Sequence, residues 1–218
     1  MRIFVNLGAA LALLVFLAGC ASQGRQLMPM PNLYAGAHAP ELFAGLPDEL
    51  MNNQADILYL TDREPEFNDE GSLEYSSGRS RSVAFGSAIV TIKPEMSWEE
   101  LEQISLAPDR SVKLTLELTT IEELGRFAPT PPKLIVPDNQ SRVDPEFLTA
   151  MNQATTSFRQ EVQRRLERAS SRDVILFIHG YNNTFDDAAF TLAELWHYLG
   201  REHVPILYTW PAGLGGPA

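Results

Sequence analysis

The chain has 218 residues, of which 44% are apolar, and its 28 acidic residues against 17 Lys and Arg give a formal net charge of −11. This length and composition suit one sizeable hydrophobic core and exclude a collagenous or low-complexity protein. The acidic balance excludes nucleic acid as a partner, because nucleic acid repels a surface of its own charge, and the single cysteine excludes an internal disulfide framework.

The first 19 residues have the composition of a secretory signal. Arg2 gives a basic start, and the apolar run Leu7–Ala18 is shorter than the roughly 20 apolar residues that a membrane-spanning helix needs. Leu-Ala-Gly-Cys at the end of the run resembles the bacterial lipobox, whose cysteine thiol is acylated before cleavage. The resemblance implies that residues 1–19 are removed and that Cys20 carries lipid. The alternative is an ordinary signal peptide with an incidental cysteine.

A lipidated Cys20 predicts where the protein resides. Ala21 in the next position, rather than Asp, resembles the outer-membrane class of lipoproteins. We therefore expect an outer-membrane lipoprotein of the bacterial cell envelope that faces the periplasm, with the membrane as a partner through the lipid anchor. Residues 20–53 contain several prolines and glycines without periodicity, and we interpret them as a tether and an irregular segment before a domain at 54–218.

Three apolar segments of strand length open this domain: Asp56–Thr61, Val83–Ile92 and Val112–Leu118. The acidic stretch Arg63–Ser82 between the first two is predicted to be a solvated loop, because its ligand spacing fits no metal motif. We expect no metal and no cofactor. Thr120–Glu123 resembles a capping box and predicts the start of a short helix.

The second part of the domain alternates helices and strands. Apolar residues at helical spacing predict one long amphipathic helix over Pro145–Ala169. The continuous apolar run Asp173–Ile178 is typical of a central parallel strand that is buried on both faces. A helix over Thr184–Gly200 and a strand over Val204–Trp210 follow. This order predicts a right-handed βαβ unit and an α/β fold.

The loop after the first of these strands is His179-Gly180-Tyr181-Asn182, which we call the HGYN loop. The other short motifs that accompany it are Tyr59–Arg63, Phe85–Ala88, Phe185–Ala188 and Thr209–Pro211. Together the motifs resemble a group of bacterial esterase/lipase-like α/β hydrolases of uncharacterised function. The resemblance covers nearly the whole chain after Cys20.

The resemblance implies a role for the HGYN loop. In the α/β hydrolase superfamily, a His-Gly pair that leaves a central strand directs a backbone N–H at the substrate carbonyl oxygen. His179, Gly180, Tyr181 and Asn182 would thus form an oxyanion loop, with the Tyr181 N–H as donor. Gly180 would let the backbone come close, and Asn182 would brace the loop by side-chain hydrogen bonds. The implied substrate is a small-molecule carboxylic ester.

The histidines do not complete a catalytic set. His179 invites assignment as the catalytic base, but in this superfamily the base follows the nucleophile in chain order, which favours a structural histidine hydrogen-bonded in the turn. We expect His197 to serve in packing or at the surface, and His38 and His203 have no partner pattern.

The chain departs from the superfamily pattern because it contains no Gly-x-Ser-x-Gly. No catalytic residue is therefore assigned, and Ser80, Ser82 and Ser87 are predicted to be structural. We expect the N-terminal part of an α/β hydrolase sheet with flanking helices, incomplete because an interrupted reading frame or partial gene removes its nucleophile half. The predicted function is the N-terminal part of a lipid-anchored serine hydrolase that is inactive by itself. The alternative is a non-catalytic envelope lipoprotein that acts as a binding or structural module.

Overall fold

The computed structural model describes residues 24–31 and 42–212. In chain order the elements are β1 (Arg25–Gln26), β2 (Gln54–Phe67), β3 (Leu73–Lys93), α1 (Trp98–Leu106), β4 (Thr115–Arg126), β5 (Leu134–Ile135), β6 (Arg142–Val143), α2 (Pro145–Arg168), β7 (Val174–Ile178), α3 (Phe185–Tyr198) and β8 (Val204–Thr209). Single 3-10 turns cover Asp48–Leu50 and Pro137–Asn139.

A mixed six-stranded sheet forms the centre, in the order β1-β4-β3-β2-β8-β7. The strands β1, β4, β3 and β2 pair antiparallel, whereas β2, β8 and β7 pair parallel. β5 and β6 form a separate two-stranded ribbon. The predicted α/β fold class is confirmed, and the sheet also includes β1 from the segment that the sequence suggested as a tether.

Helices cover both faces of this sheet. On one face, α3 and α1 bury Ile57 and Tyr59 of β2. On the other face, α2 packs Phe158 against Leu58 of β2 and Ile206 of β8. Successive strand residues point to opposite faces, so β2 contributes to both cores, and each fully buried side chain of this size stabilises the fold by about 1.5–3 kcal/mol.

The antiparallel half contains two departures from the sequence-based prediction. β2 and β3 form one long hairpin, so Arg63–Ser82 is not a loop: Arg63 pairs with Arg79, and the chain turns only at Asn68–Ser72. The sequence pattern did not indicate these strand segments because many of their side chains are charged. Exposed positions of a projecting hairpin need not be apolar.

The predicted helix start at Thr120–Glu123 is also wrong, because these residues lie in β4, where Ile121 pairs with Ala88 of β3. Long-range pairing with β3 outweighs the local capping signal. A capping box does start α1, where Ser97 and Glu100 exchange hydrogen bonds, although the sequence pattern had not predicted this helix.

The parallel half follows the prediction closely. β7, α3 and β8 form the expected βαβ unit, α2 covers Pro145–Arg168, and Thr184 and Asp187 cap α3. The burial expected for β7 is wrong, however. Within the described residues it is the edge strand, and Leu176 and Ile178 are 57% and 56% exposed. Its side chains toward α3 are packed, whereas those on the α2 side have no cover. None of the helices in residues 24–31 and 42–212 is long and apolar enough to cross a bilayer.

Candidate functional site

The carboxyl ends of β2, β8 and β7 meet at one edge of the sheet, where open α/β sheets bind their ligands. Arg63 lies at this end of β2, Thr209 and Trp210 follow β8, and the HGYN loop follows β7. The loop leads into the N-terminus of α3, whose dipole favours negative charge.

His179 fastens the HGYN loop to the end of β8. Its ring is 3% exposed and stacks on Trp210 at 5.5 Å between centroids. The Trp210 backbone N–H donates to Nε2 (3.1 Å), so Nε2 carries no proton and Nδ1–H donates to the Gly180 carbonyl (2.8 Å). The Trp210 indole donates to the His179 carbonyl (3.1 Å), and the Thr209 hydroxyl lies 3.0 Å from Nε2. Both ring nitrogens are engaged within the protein, so His179 holds the turn and is not placed to move protons.

Arg63 connects β2 to Asn183, the residue that directly follows the HGYN loop. Its guanidinium is almost fully buried and donates to the Thr209 hydroxyl (2.9 Å), the Ser76 carbonyl (3.1 Å) and the Asn183 carbonyl (2.6 Å). Burial lowers the pKa of Arg63, and the nearby Asp62 carboxylate partly offsets this effect. One buried cation therefore ties three strands and the loop together.

The tip of the HGYN loop is open. Gly180, Tyr181 and Asn182 are exposed, and their backbone N–H groups make no hydrogen bond within the described residues. Asn182 adopts φ 66°, a left-handed conformation that Asn tolerates better than most residues. A Cβ added to Gly180 would meet no atom within 4 Å. The loop thus presents unpaired N–H donors beside unfilled space.

One detail of the expected loop differs in the structure. The Asn182 side chain makes no hydrogen bond to the part of the chain that is described, so the expected bracing comes from His179 and Arg63 instead. Nothing in the described protein approaches Gly180 closely, so a close approach there would be made by a ligand and not by the chain. The sequence motifs contained Arg63, Thr209 and Trp210, and their position at strand ends was the signal that could have singled them out.

A cavity of about 340 Å³ opens at the same end of the sheet. Its lining comprises Asp62, Arg79, Ser80, Arg81, Ser82, Val83 and Thr130. Asp62 is 8% exposed, and its Oδ2 pairs with Arg79 at 2.6 Å, whereas its Oδ1 has no hydrogen-bond partner among the described residues. This lining suits a polar ligand that donates hydrogen bonds.

The serines singled out from the sequence have structural partners. Ser87 donates to Asp56 (2.5 Å), which Arg165 also holds, and Ser80 accepts from Arg126 (3.3 Å). The backbone N–H of Ser82 bonds to the Ser80 hydroxyl. None of the three bonds to a histidine in the described part of the chain.

A buried Ser–His contact occurs elsewhere, between Ser105 and His197 (2.9 Å). Arg201 donates to His197 Nδ1 (3.0 Å), so Nε2 carries the proton and donates to Ser105. A histidine in this state cannot accept the serine proton. Burial, and next the Arg201 and Arg110 charges, lower the pKa of His197 well below its usual value. The pair is therefore structural, and His197 is in the core rather than at the surface.

Comparison with known proteins supports the fold. The sequence model of a family described as "alpha/beta hydrolase of unknown function (DUF900)" matches residues 154–215. This range contains most of α2, all of β7, α3 and β8, and the HGYN loop. No curated protein and no solved structure matches the chain. The resemblance to the α/β hydrolase superfamily is thereby confirmed over the βαβ unit that carries the candidate site.

Proposed function

From this α/β hydrolase-like fold, we propose that the chain is the oxyanion-loop half of a lipid-anchored carboxylic-ester hydrolase. The observation that carries the proposal is the HGYN loop itself, whose N–H groups bond to none of the described residues at the end of a parallel strand, with the N-terminus of α3 beside it. The Tyr181 N–H is the proposed donor. The nucleophile, acid and base are supplied by residues outside this chain.

The chemistry of ester hydrolysis explains why a braced loop matters. Attack on an ester carbonyl places negative charge on its oxygen, and donors that are already oriented stabilise this charge without reorganisation. One such donor contributes about 2.7–4 kcal/mol to the transition state. The hydrogen bonds of His179 and Arg63 supply this orientation, because they hold the loop at both sides of its exposed tip.

The edge of β7, which no described strand covers, supports a nucleophile on an adjacent strand. A parallel strand added at that edge would end beside the HGYN loop, because the carboxyl ends of parallel strands meet at one edge. The same strand, with its helix, would cover the exposed apolar side chains Leu176 and Ile178. One added strand with its helix would thus supply the nucleophile and also cover the exposed apolar side chains of β7.

Activity-based labelling tests the proposal. The 218-residue chain should not react with a fluorophosphonate probe, and it should hydrolyse p-nitrophenyl acetate no faster than a heat-treated control, because its sequence contains no Gly-x-Ser-x-Gly. The protein that the cell makes from its own gene should be labelled at a serine outside these residues. Stoichiometric labelling at Ser87 would overturn the assignment of the serines.

The donor can be tested in the labelled enzyme. Replacing Tyr181 by its α-hydroxy acid removes only the N–H and should cost about 2.7–4 kcal/mol of transition-state stabilisation, whereas Tyr181→Phe keeps the N–H and most of kcat. Gly180→Val should lower kcat by filling the space beside the donor. Equal and small effects of all three changes would remove the loop from the mechanism.

The second candidate is a non-catalytic envelope lipoprotein. The polar cavity with the unpartnered Asp62 oxygen favours it, because a buried carboxylate oxygen without a donor is a site that a ligand can complete. A protein from the intact gene that never reacts with the probe would favour this candidate.

The lipid anchor is a separate part of the proposal, because Cys20 and the signal segment lie outside the described residues. Cys20→Ala should leave an unprocessed or soluble product, since acylation needs the thiol. A Cys20→Ala protein that is still processed and found in the outer-membrane fraction at wild-type yield would contradict the anchor.

A further inference from the structure

The first described residues are docked on the domain. Gly24–Met28, which we call the N-terminal strap, adds β1 to the sheet, with Arg25 opposite Leu116 of β4. Leu27 is completely buried, and its N–H donates to the Leu114 carbonyl (2.9 Å). The strap is therefore part of the sheet and of the hydrophobic core.

Polar contacts fasten the strap to α3 as well. Arg25 forms an ion pair with Glu194 (2.9 Å), whose side chain is 2% exposed, and it donates to Thr191 (2.8 Å). The Met28 N–H donates to Glu194 (2.8 Å), and Tyr198 donates to the Met28 carbonyl (2.9 Å). Releasing the strap would leave the buried Glu194 carboxylate without these partners, which is costly.

The strap meets the sheet far from the HGYN loop along the strands. Arg126 of β4 pairs with Ala84, which also pairs with Thr61 near the site end of β2. Thr115, at the other end of β4, pairs with Lys93 and also with Gln26 of the strap. The strap therefore lies toward the end of β4 opposite the site end, about ten residues along that strand.

The strap is also far from the loop across the strands. β1 and β7 are the two outer strands of the described sheet, and five inter-strand steps of about 4.8 Å separate them by roughly 24 Å. The strap and the HGYN loop thus occupy diagonally opposite corners of the sheet. Gly24 is only four positions after Cys20, a distance that an extended chain spans in at most about 14 Å.

We infer that the docked strap leaves only a short link between the domain and the lipid anchor. This short link holds the β1–β4 edge of the sheet nearest the membrane and keeps the HGYN loop at the corner of the sheet that is farthest from the membrane. The inference rests on the proposed acylation of Cys20. The outer surface of α2 offers little for a protein lying flat on the bilayer, because its exposed side chains are polar except for Pro145, Leu148 and Ala150. The substrate is consequently an ester that arrives from the aqueous side and not a lipid of the anchoring bilayer.

Fluorescence on vesicles tests this geometry. The chain from Cys20 onward is coupled through its single cysteine to a maleimide phospholipid in phosphatidylethanolamine–phosphatidylglycerol vesicles that contain an acceptor-labelled lipid. A donor dye is attached through an azido amino acid at Glu117, beside the strap, or at Tyr181. Energy transfer should be several-fold stronger from position 117 than from 181. Equal transfer from both positions would overturn the inference.

A linker variant serves as the matched control. Inserting about 20 Gly/Ser residues before Gly24 leaves the strap docked but adds up to about 70 Å of reach, so transfer from position 117 should fall. Unchanged transfer would show that the strap does not set the distance. Chemical coupling makes the measurement independent of acylation in the cell, so failure of the anchor proposal is detected separately by Cys20→Ala.

Discussion

The antiparallel and parallel halves of the sheet are packed very differently. In the antiparallel half, β2, β3 and β4 pair along most of their length, and Gly86 lies so close to β4 that an added Cβ would be 1.9 Å from the Glu122 carbonyl oxygen. In the parallel half, β7 leaves Leu176 and Ile178 more than half exposed, and nothing lies within 4 Å of a Cβ at Gly180.

The tightly packed half supports the site, and the open half offers the groups that can recognise a ligand. A loop can offer backbone N–H groups to a ligand only where the protein does not already use them, so the HGYN loop belongs to the less enclosed half. Its orientation depends on Arg63, which reaches from β2 of the tightly packed half to the loop of the open one. The antiparallel half thus acts as the rigid scaffold for the site.

A large loss of stability is expected for Gly86→Ala, compared with Gly180→Ala. The new methyl at position 86 would collide with Glu122 and with Tyr59, so unfolding free energy should fall by about 3 kcal/mol, the upper range for overpacking. A methyl group at position 180 meets open space, so Gly180→Ala should change the unfolding free energy by less than about 0.5 kcal/mol. Urea denaturation measures both unfolding free energies, and similar losses would contradict the difference in packing between the two halves.

Arg63→Met tests the connection between the halves. It leaves the carbonyls of Asn183 and Ser76 without their donor, and we expect a loss of about 2–3 kcal/mol together with lower backbone NMR order parameters at residues 180–182. Arg81→Met is the control, because Arg81 is exposed and should cost less than about 0.5 kcal/mol. Unchanged order parameters in Arg63→Met would show that Arg63 does not hold the loop.

The buried His197 makes stability depend on pH. Its pKa in the folded protein is lowered, so below about pH 6.5 the unfolded chain binds a proton that the folded chain does not, and stability falls as pH falls, by up to about 1.4 kcal/mol per pH unit. His197→Gln can keep hydrogen bonds to Arg201 and Ser105 but does not titrate. Between pH 6.5 and 5 the variant should therefore lose less stability than the wild type, and parallel pH curves would contradict this assignment.

The smallest effect is expected at the edge of β7. Leu176→Thr should cost no more than about 0.5 kcal/mol in this chain, because the side chain is already 57% exposed. Leu58→Ala, at a completely buried position of β2, should cost about 2–5 kcal/mol. In a protein where another strand covers β7, Leu176→Thr should cost clearly more. An equally small cost there would argue against such a strand.

Local sequence signals predicted the parallel half well. The capping box at Thr184, the helix spacing over Pro145–Arg168 and the apolar runs of β7 and β8 each report on neighbours within a few residues, and all three appear in the structure. The HGYN loop was found for the same reason, since a strand, a turn and a helix N-terminus are contiguous in the chain. The antiparallel half was predicted poorly because the pairing of β4 with β3 outweighs the local helix signal at Thr120.

By itself, the sequence determined the βαβ unit and the identity of the loop, because hydrophobic period, caps and turn residues act over short distances. Only the tertiary structure decided which side chains hold that loop. Arg63 and Asn183 are 120 residues apart, and Ser105 and His197 are 92 apart. The strap meets Glu194 across 166 residues. Such contacts depend on how elements are arranged in space, and no local pattern encodes the arrangement that turns Arg63 into a brace and His179 into a structural residue.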